Sequence, residues 1–203
     1  NGLLFRYPKS RKLPRAGIVH RLDKDTTGLV VVAKNRLAFD SLTMQILQRN
    51  IRRNYLALVW GNVPKKIEIE GKIERDKANR LRFMISKTDK GKFAHTTVIP
   101  IETGQVQNQK VTLVKCILNT GRTHQIRVHM EGFGHPIVGD VLYKRGSPRH
   151  LREEVMPRQA LHAFSLTFLE PIKKYPMTFQ VLPPDDLKKQ IREAGICLHQ
   201  LLR

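Results

Sequence analysis

Cysteine is nearly missing from this sequence: only Cys116 and Cys197 occur, far apart and outside any C-x-x-C pair. That excludes a disulfide framework and a thiolate zinc cluster. Both thiols are expected to stay reduced, Cys116 inside the strand-like run Val111 to Leu118. His124 and His129 miss the i, i+4 spacing that places two imidazoles on one helical face, so a helical zinc pair is missing too. No uninterrupted apolar run approaches the roughly 18 residues of a membrane-spanning helix. The start of the chain, Asn1-Gly2-Leu3-Leu4-Phe5-Arg6-Tyr7-Pro8, has neither the apolar run nor the small-residue cleavage site of a secretory signal. A membrane is therefore not an expected partner. Internal repeats, low-complexity tracts and an evident linker are lacking as well, which leaves one domain of 203 residues with room for a core.

Acidic residues are scarce. Seventeen Asp and Glu face thirty-seven Lys and Arg, giving a net charge of +20 and a pI near 10.5. That exceeds the magnitude of about 2 to 8 usual for a small domain and points to a polyanionic partner. The basic residues are spread along the chain, from Lys9, Arg11, Lys12 and Arg15 through Arg49, Arg52 and Arg53 to Lys144, Arg145 and Arg149. A folded basic surface fits this better than a charged tail. Charge does not distinguish RNA from DNA.

The chain reads as α+β. Residues 1–16, with Pro8 and Pro14, read as an entering loop, followed by a strand or turn at Gly17 to His20. Leu29 to Ala33 is a short β-branched apolar run of the buried-strand type. Ala38, Leu42 and Ile46 recur at helical spacing between Leu37 and Arg49, with Asn50 as the stop. Tyr55 to Trp60 is apolar on both faces, as an interior strand requires. Further strands are predicted at Leu81 to Ile85, Thr96 to Ile101, Val111 to Leu118, Leu161 to Leu169 and Met177 to Leu182. Several follow one another without helices between them, so the sheet should be mixed and mainly antiparallel, with flanking helices and a central cleft. Pro183-Pro184-Asp185 should start a terminal helix over Asp186 to Leu202, with Leu187, Ile191, Ala194 and Leu198 on one face. Trp60 should be core.

The most informative stretch runs from Gly17 to Asn35. It places Asp23 between Arg21 and Lys24 in a polar turn that leads into an apolar run. A carboxylate held there beside cations suits a nucleophile or a base. The same residues also fit a tight turn in which Asp23 and Asp25 bond to their own backbone. A third reading takes Asp23 and Asp25 as the paired carboxylates of a metal-dependent sugar transferase, against which stand the intervening Lys24 and the lack of a further acidic cluster.

His20-Arg-Leu-Asp-Lys-Asp-Thr-Thr-Gly28 resembles the H-R-L-D-x-x-T-S-G signature of RluA-type pseudouridine synthases, with Thr27 where Ser is commoner. Arg53-Asn-Tyr-Leu-Ala-Leu-Val-Trp-Gly61 is similar to that family's R-x-Y-x-A-x-V-x-G, and Thr120-Gly-Arg-Thr-His-Gln-Ile-Arg-Val-His129 to its T-G-R-T-H-Q-I-R-x-H. Gly134-His-Pro-Ile-Val-Gly-Asp140 and Arg158-Gln-Ala-Leu-His-Ala163 extend the agreement in order. The resemblance implies isomerisation of uridine in RNA: the N-glycosidic bond is cut, the uracil turns, and a carbon–carbon bond forms, with no cofactor and no metal.

By motif position the resemblance makes Asp23 the essential carboxylate, as nucleophile or as base. Arg127 becomes its basic partner, Tyr55 the pocket tyrosine, and Arg21 the residue that fills the RNA stack. It further implies substrate contacts at His20, Thr27, Gly28, Arg122 and Ile126. His124, His129 and His162 are expected to be structural hydrogen-bonders. The implied substrate is large-subunit ribosomal RNA, with tRNA as the other RNA class, acted on by a monomer in the bacterial cytoplasm or an organellar matrix. The competing function is a non-catalytic RNA-binding or ribosome-assembly factor on the same fold. RluA-type catalytic domains open with a Lys-Pro strand and a further helix, and many carry a small RNA-binding domain. This sequence holds none of these, so 1–203 is expected to be a single, N-terminally incomplete catalytic domain.

Overall fold

A computed structural model describes residues 2–88, 90–148 and 155–197. Its centre is an eight-stranded sheet. The strands are β1 (Thr27–Gly28), β2 (Arg52–Trp60), β3 (Ile67–Arg75), β4 (Phe83–Ile85), β5 (Lys92–Val106), β6 (Gln109–Leu118), β7 (Leu161–Leu169) and β8 (Pro176–Gln180). They are ordered β1-β7-β2-β6-β5-β3-β4, with β8 also on β7. Every pairing is antiparallel except β1 with β7. The expected mixed, mainly antiparallel sheet is the one found.

β2 sits between β6 and β7 and is apolar on both faces because both are covered: Ala57, Leu58 and Val59 have no exposed surface. Trp60 is core. Among the described residues four α-helices accompany the sheet: α1 (Gly2–Arg6), α2 (Arg36–Leu47), α3 (Gln125–Gly132) and α4 (Asp185–Glu193). The side chain of Asn35 caps α2 by accepting the Ala38 N–H at 2.9 Å. Buried Gln45 then bonds both the N–H and the carbonyl of Leu169, which fastens α2 to the end of β7. Leu42 packs there with Leu166 and Phe168.

The structure corrects several expected elements. Residues 2–17 are short helical turns, α1 and two 3-10 segments, where a loop was expected. Leu29 to Ala33 is not a buried strand. Only Thr27 and Gly28 pair with β7; Val30 is 40% exposed, and Val32 forms one bridge with Ile18. Leu29, Val31 and Ala33 pack against the cluster under α2 while Val30 faces out, so the run is covered on one side only and joins the sheet by little more than its first residues. β3 was not expected, although Ile67, Ile69 and Ile73 alternate with charged residues, and its register with β5 buries Ile69 and Ile73. α4 stops at Glu193 because Gly195, at φ 75°, turns the chain out of the helix. The expected extension to Leu202, including Leu198, lies partly outside the described residues.

Candidate active site

Asp23 sits in a loop whose backbone is pinned from β7's approach. The Asp23 carbonyl accepts the Thr26 N–H at 3.1 Å, and Asp25 takes a left-handed φ of 66° to close the turn. Gln159 donates to the Lys24 carbonyl and to the Thr26 hydroxyl. Arg158 donates to the Asp25 carbonyl while holding Asp186 of α4 in a two-point ion pair. The Arg158–Gln159 pair thus fixes the loop and leaves the Asp23 carboxylate free of any hydrogen bond among the described residues.

Asp23 lines an open cleft of about 250 Å³ together with Tyr55, His20, Arg21, Arg122 and Ile126. Among the described residues Arg15 and Arg53 complete a wall of four arginines facing a single carboxylate. Arg21 is exposed at the rim, where a planar guanidinium can reach stacked bases. Tyr55 is buried, and burial pushes its hydroxyl up to about 12, with Arg53 opposing and Asp23 assisting. The ring is therefore an uncharged face.

Arg127 is near Asp23 but is not its tight partner: Nη1 lies 3.8 Å from Oδ2. Its bidentate contact is with Asp140, Nε to Oδ2 at 2.7 Å and Nη2 to Oδ1 at 2.8 Å, on side chains 6% and 0% exposed. Burial opposes the charge on Arg127, but the Asp140 hydrogen bond and charge outweigh it, with Asp23 and Tyr143 adding, and the pKa is raised. Arg127 also lies 4.8 Å from the Tyr143 ring centre, and Tyr143 bonds His124 at 2.9 Å. Arg127 does not line the cleft. It is a fixed positive charge behind Asp23, a positioning residue in geometry.

Asp140 and Tyr143 were missed as site residues in the sequence reading. Asp140 ends a block quoted there, and a lone acid in a block otherwise without acids was the available signal. Arg53 was likewise named only as the first residue of its block.

Thr27 and Gly28 do not line the cleft. Thr27 bonds His162 Nδ1 at 2.9 Å, and Gly28, at φ 117°, lies so close to Ala163 that a Cβ would overlap its backbone. Both tie the Asp23 loop to β7. His124, His129 and His162 all bond protein groups, Tyr143, Thr96 and Thr27 respectively. His20 accepts the Val31 N–H on Nε2, so its proton is on Nδ1. Burial first, and the charge of Arg53 second, hold its pKa down to about 4. Gln125 accepts from Thr120 and from the Arg122 N–H, which shapes the turn before α3. Cys116 is buried and Cys197 exposed, both free thiols. Among the described residues no helix is long and apolar enough to cross a membrane.

Residues 3–132 match the family model described as RNA pseudouridylate synthase. The chain is 44% identical over 195 residues to the ribosomal large subunit pseudouridine synthase D of Neisseria meningitidis serogroup A, covering 92% of this chain and 50% of that protein. It is 42% identical over 190 residues to the protein of the same name from Nitrosomonas europaea, covering 92% and 54%. The chain therefore spans about half the length of these relatives. The solved structure of human RNA pseudouridylate synthase domain containing 1 superposes with a TM-score of 0.72 at 27% identity, covering 94% of this chain and 83% of that one. On the family match, the shared fold and the site assembled above, the chain belongs to the RNA pseudouridylate synthase family.

Proposed function

We propose that this chain isomerises specific uridines in RNA to pseudouridine, and that its substrate is large-subunit ribosomal RNA. The observation that carries the reading is a carboxylate, Asp23, free of hydrogen bonds among the described residues, set beside the Tyr55 ring in a cleft walled by arginines. The names of the bacterial relatives support the RNA class. A uridine in RNA must leave its stack at a cost of a few kcal/mol, roughly, before its glycosidic bond can be reached. Arg21 at the rim is placed to fill the gap, and Tyr55 to hold the flipped base. Arg127, clamped by Asp140, keeps positive charge behind Asp23 as the carboxylate acts. In nucleophilic attack and in a glycal route alike, the reacting atom on the protein is an Asp23 oxygen.

A non-catalytic assembly factor would have no use for this arrangement of Asp23, Tyr55 and Arg127. The decisive experiment compares pseudouridine maps of total RNA from cells with and without the gene, alongside tritium release by purified protein. Asp23→Asn should abolish release while RNA affinity stays within a few fold, because affinity rests on dispersed phosphate contacts. Substantial turnover by the purified variant would remove Asp23 from its role.

A further inference from the structure

Four buried side-chain polar atoms lack a hydrogen-bond partner among the described residues: Thr43 Oγ1, His129 Nε2, Arg53 Nε and His20 Nδ1. The last two belong to residues that line the Asp23 cleft. Both are donors: Arg53 carries a full positive charge, and His20 has its proton on Nδ1 because Nε2 accepts from Val31. The Arg53 side chain forms no hydrogen bond or ion pair among the described residues, unlike the buried Arg127 and the half-buried Arg82 and Arg158, each held by a carboxylate. Among the described residues Asp23 is the one carboxylate lining the cleft, and its near cation is Arg127.

The half-buried Arg53 guanidinium has no carboxylate and its buried Nε has no partner among the described residues, an arrangement that an incoming anion relieves. The surroundings are shaped for it. A Cβ on Gly121 would lie 2.5 Å from Arg53 Nη1 and 3.2 Å from Cζ, so only glycine lets the guanidinium lie against the turn before α3. Arg53 precedes Tyr55 by two residues on β2, so the two side chains share a face about 6–7 Å apart along the strand. A nucleotide's base and its phosphate are separated by one ribose, a comparable span.

We infer that Arg53, with His20 beside it, is the binding site for a phosphate of the nucleotide whose base rests on Tyr55. This rests on the proposed function for the nature of the nucleotide but not for the existence of an anion site. Arg53 would thus set the depth to which a flipped nucleotide enters, and it would favour a nucleotide within a chain over a free nucleoside.

The test is equilibrium binding of uridine, uridine 5′-monophosphate and uridine 3′-monophosphate to the purified chain, followed by NMR or calorimetry. A charge-assisted contact should make one monophosphate bind about ten- to a hundredfold more tightly than uridine. Which of the two gains identifies the phosphate. Arg53→Gln should erase the difference while leaving uridine binding in place, and Arg53→Lys should restore part of it. Gly121→Ala, which keeps every charge but displaces the guanidinium, should also erase it, with an unchanged melting temperature as the control for folding. Equal binding of uridine and both monophosphates, whether all bind or none does, overturns the inference. So does an Arg53→Gln protein that weakens uridine as much as the monophosphates, since Arg53 would then hold the base. Pseudouridine formation on ribosomal RNA is scored separately. Turnover without a phosphate preference defeats this inference alone, and an Arg53-dependent preference without turnover defeats only the proposed reaction.

Discussion

Asp140 accepts two hydrogen bonds from Arg127 and two more from the N–H groups of Leu142 and Tyr143, on a side chain with no exposure. Asp23, by contrast, has a side chain 16% exposed and only the 3.8 Å approach of Arg127. Asp140 is therefore committed to the fold, and Asp23 is the carboxylate left available for the proposed chemistry. Asp140→Asn strands a buried guanidinium and should lower stability by about 3–5 kcal/mol in urea denaturation, with turnover impaired as well. Arg127→Met should cost a similar amount, because it leaves Asp140 buried and unpaired. With Asp23 as its main partner, the same substitution would have damaged catalysis more than stability. A wild-type urea midpoint for Asp140→Asn would show the pair to be wet.

His129 gives a second test at this scale. It is fully buried, and burial first, then the charge of His95, hold its pKa down to about 4 from the ordinary 6.5. The unfolded chain takes up this proton near pH 6.5, the folded chain only near 4. The contribution is thus complete above the upper value and is lost as pH falls through the window, by about 3 kcal/mol. His20 behaves in the same sense. The urea midpoint should fall between about pH 7 and pH 5, and His129→Gln should flatten the fall. A wild-type midpoint that does not move over this range would mean that neither histidine is neutral in the fold.

At the scale of elements, the Asp23 loop is held by very short pieces. β1 is two residues long, and its parallel pairing with His162 and Ala163 depends on Gly28 at φ 117° against the Ala163 backbone. Gly28→Ala should destabilise by about 1–3 kcal/mol from backbone strain alone, with the clash on top. It should also slow turnover by shifting Asp23 although Gly28 does not line the cleft. Unchanged stability by thermal melting would mean that β1 is dispensable. The long elements, β2, β6, β7 and α2, were legible in the sequence because an unbroken apolar run, or a helical period in α2, extends over two or more turns or pleats. Leu29 to Ala33 misled because composition reports affinity for a covered strand, while cover itself is supplied from elsewhere in the chain. β3 was missed although its Ile67, Ile69 and Ile73 carried the two-residue period, because intervening Glu68, Glu70 and Glu74 lower the mean hydropathy of the segment.

Across the whole molecule, +20 is borne on a folded surface, and part of it lines the cleft as Arg15, Arg21, Arg53 and Arg122. If RNA is held on that surface, each neutralised phosphate releases counterions, and the logarithm of affinity falls by about 0.7 per phosphate per logarithm of salt on single strands. Binding of a ribosomal RNA fragment should therefore weaken with a log–log slope steeper than about −3 between roughly 50 and 200 mM salt. Anisotropy titrations across that range measure it. A nearly flat slope would place the basic surface away from the RNA.

The sequence by itself determined the α+β class, the net charge from which a polyanionic partner is proposed, and the identity of the residues around the Asp23 carboxylate. These depend on local periodicity, on charge, and on side chains that keep their order along the chain. Only the tertiary structure decided which residue holds which. Asp140 clamps Arg127 from the loop after α3, Gln159 pins the Asp23 turn from the residues just before β7, and Gly121 makes room for Arg53 of β2. No local period links these partners. A hydrogen bond or a steric gap depends on separations of a few tenths of an ångström, and these exist only once the sheet has set distant segments side by side.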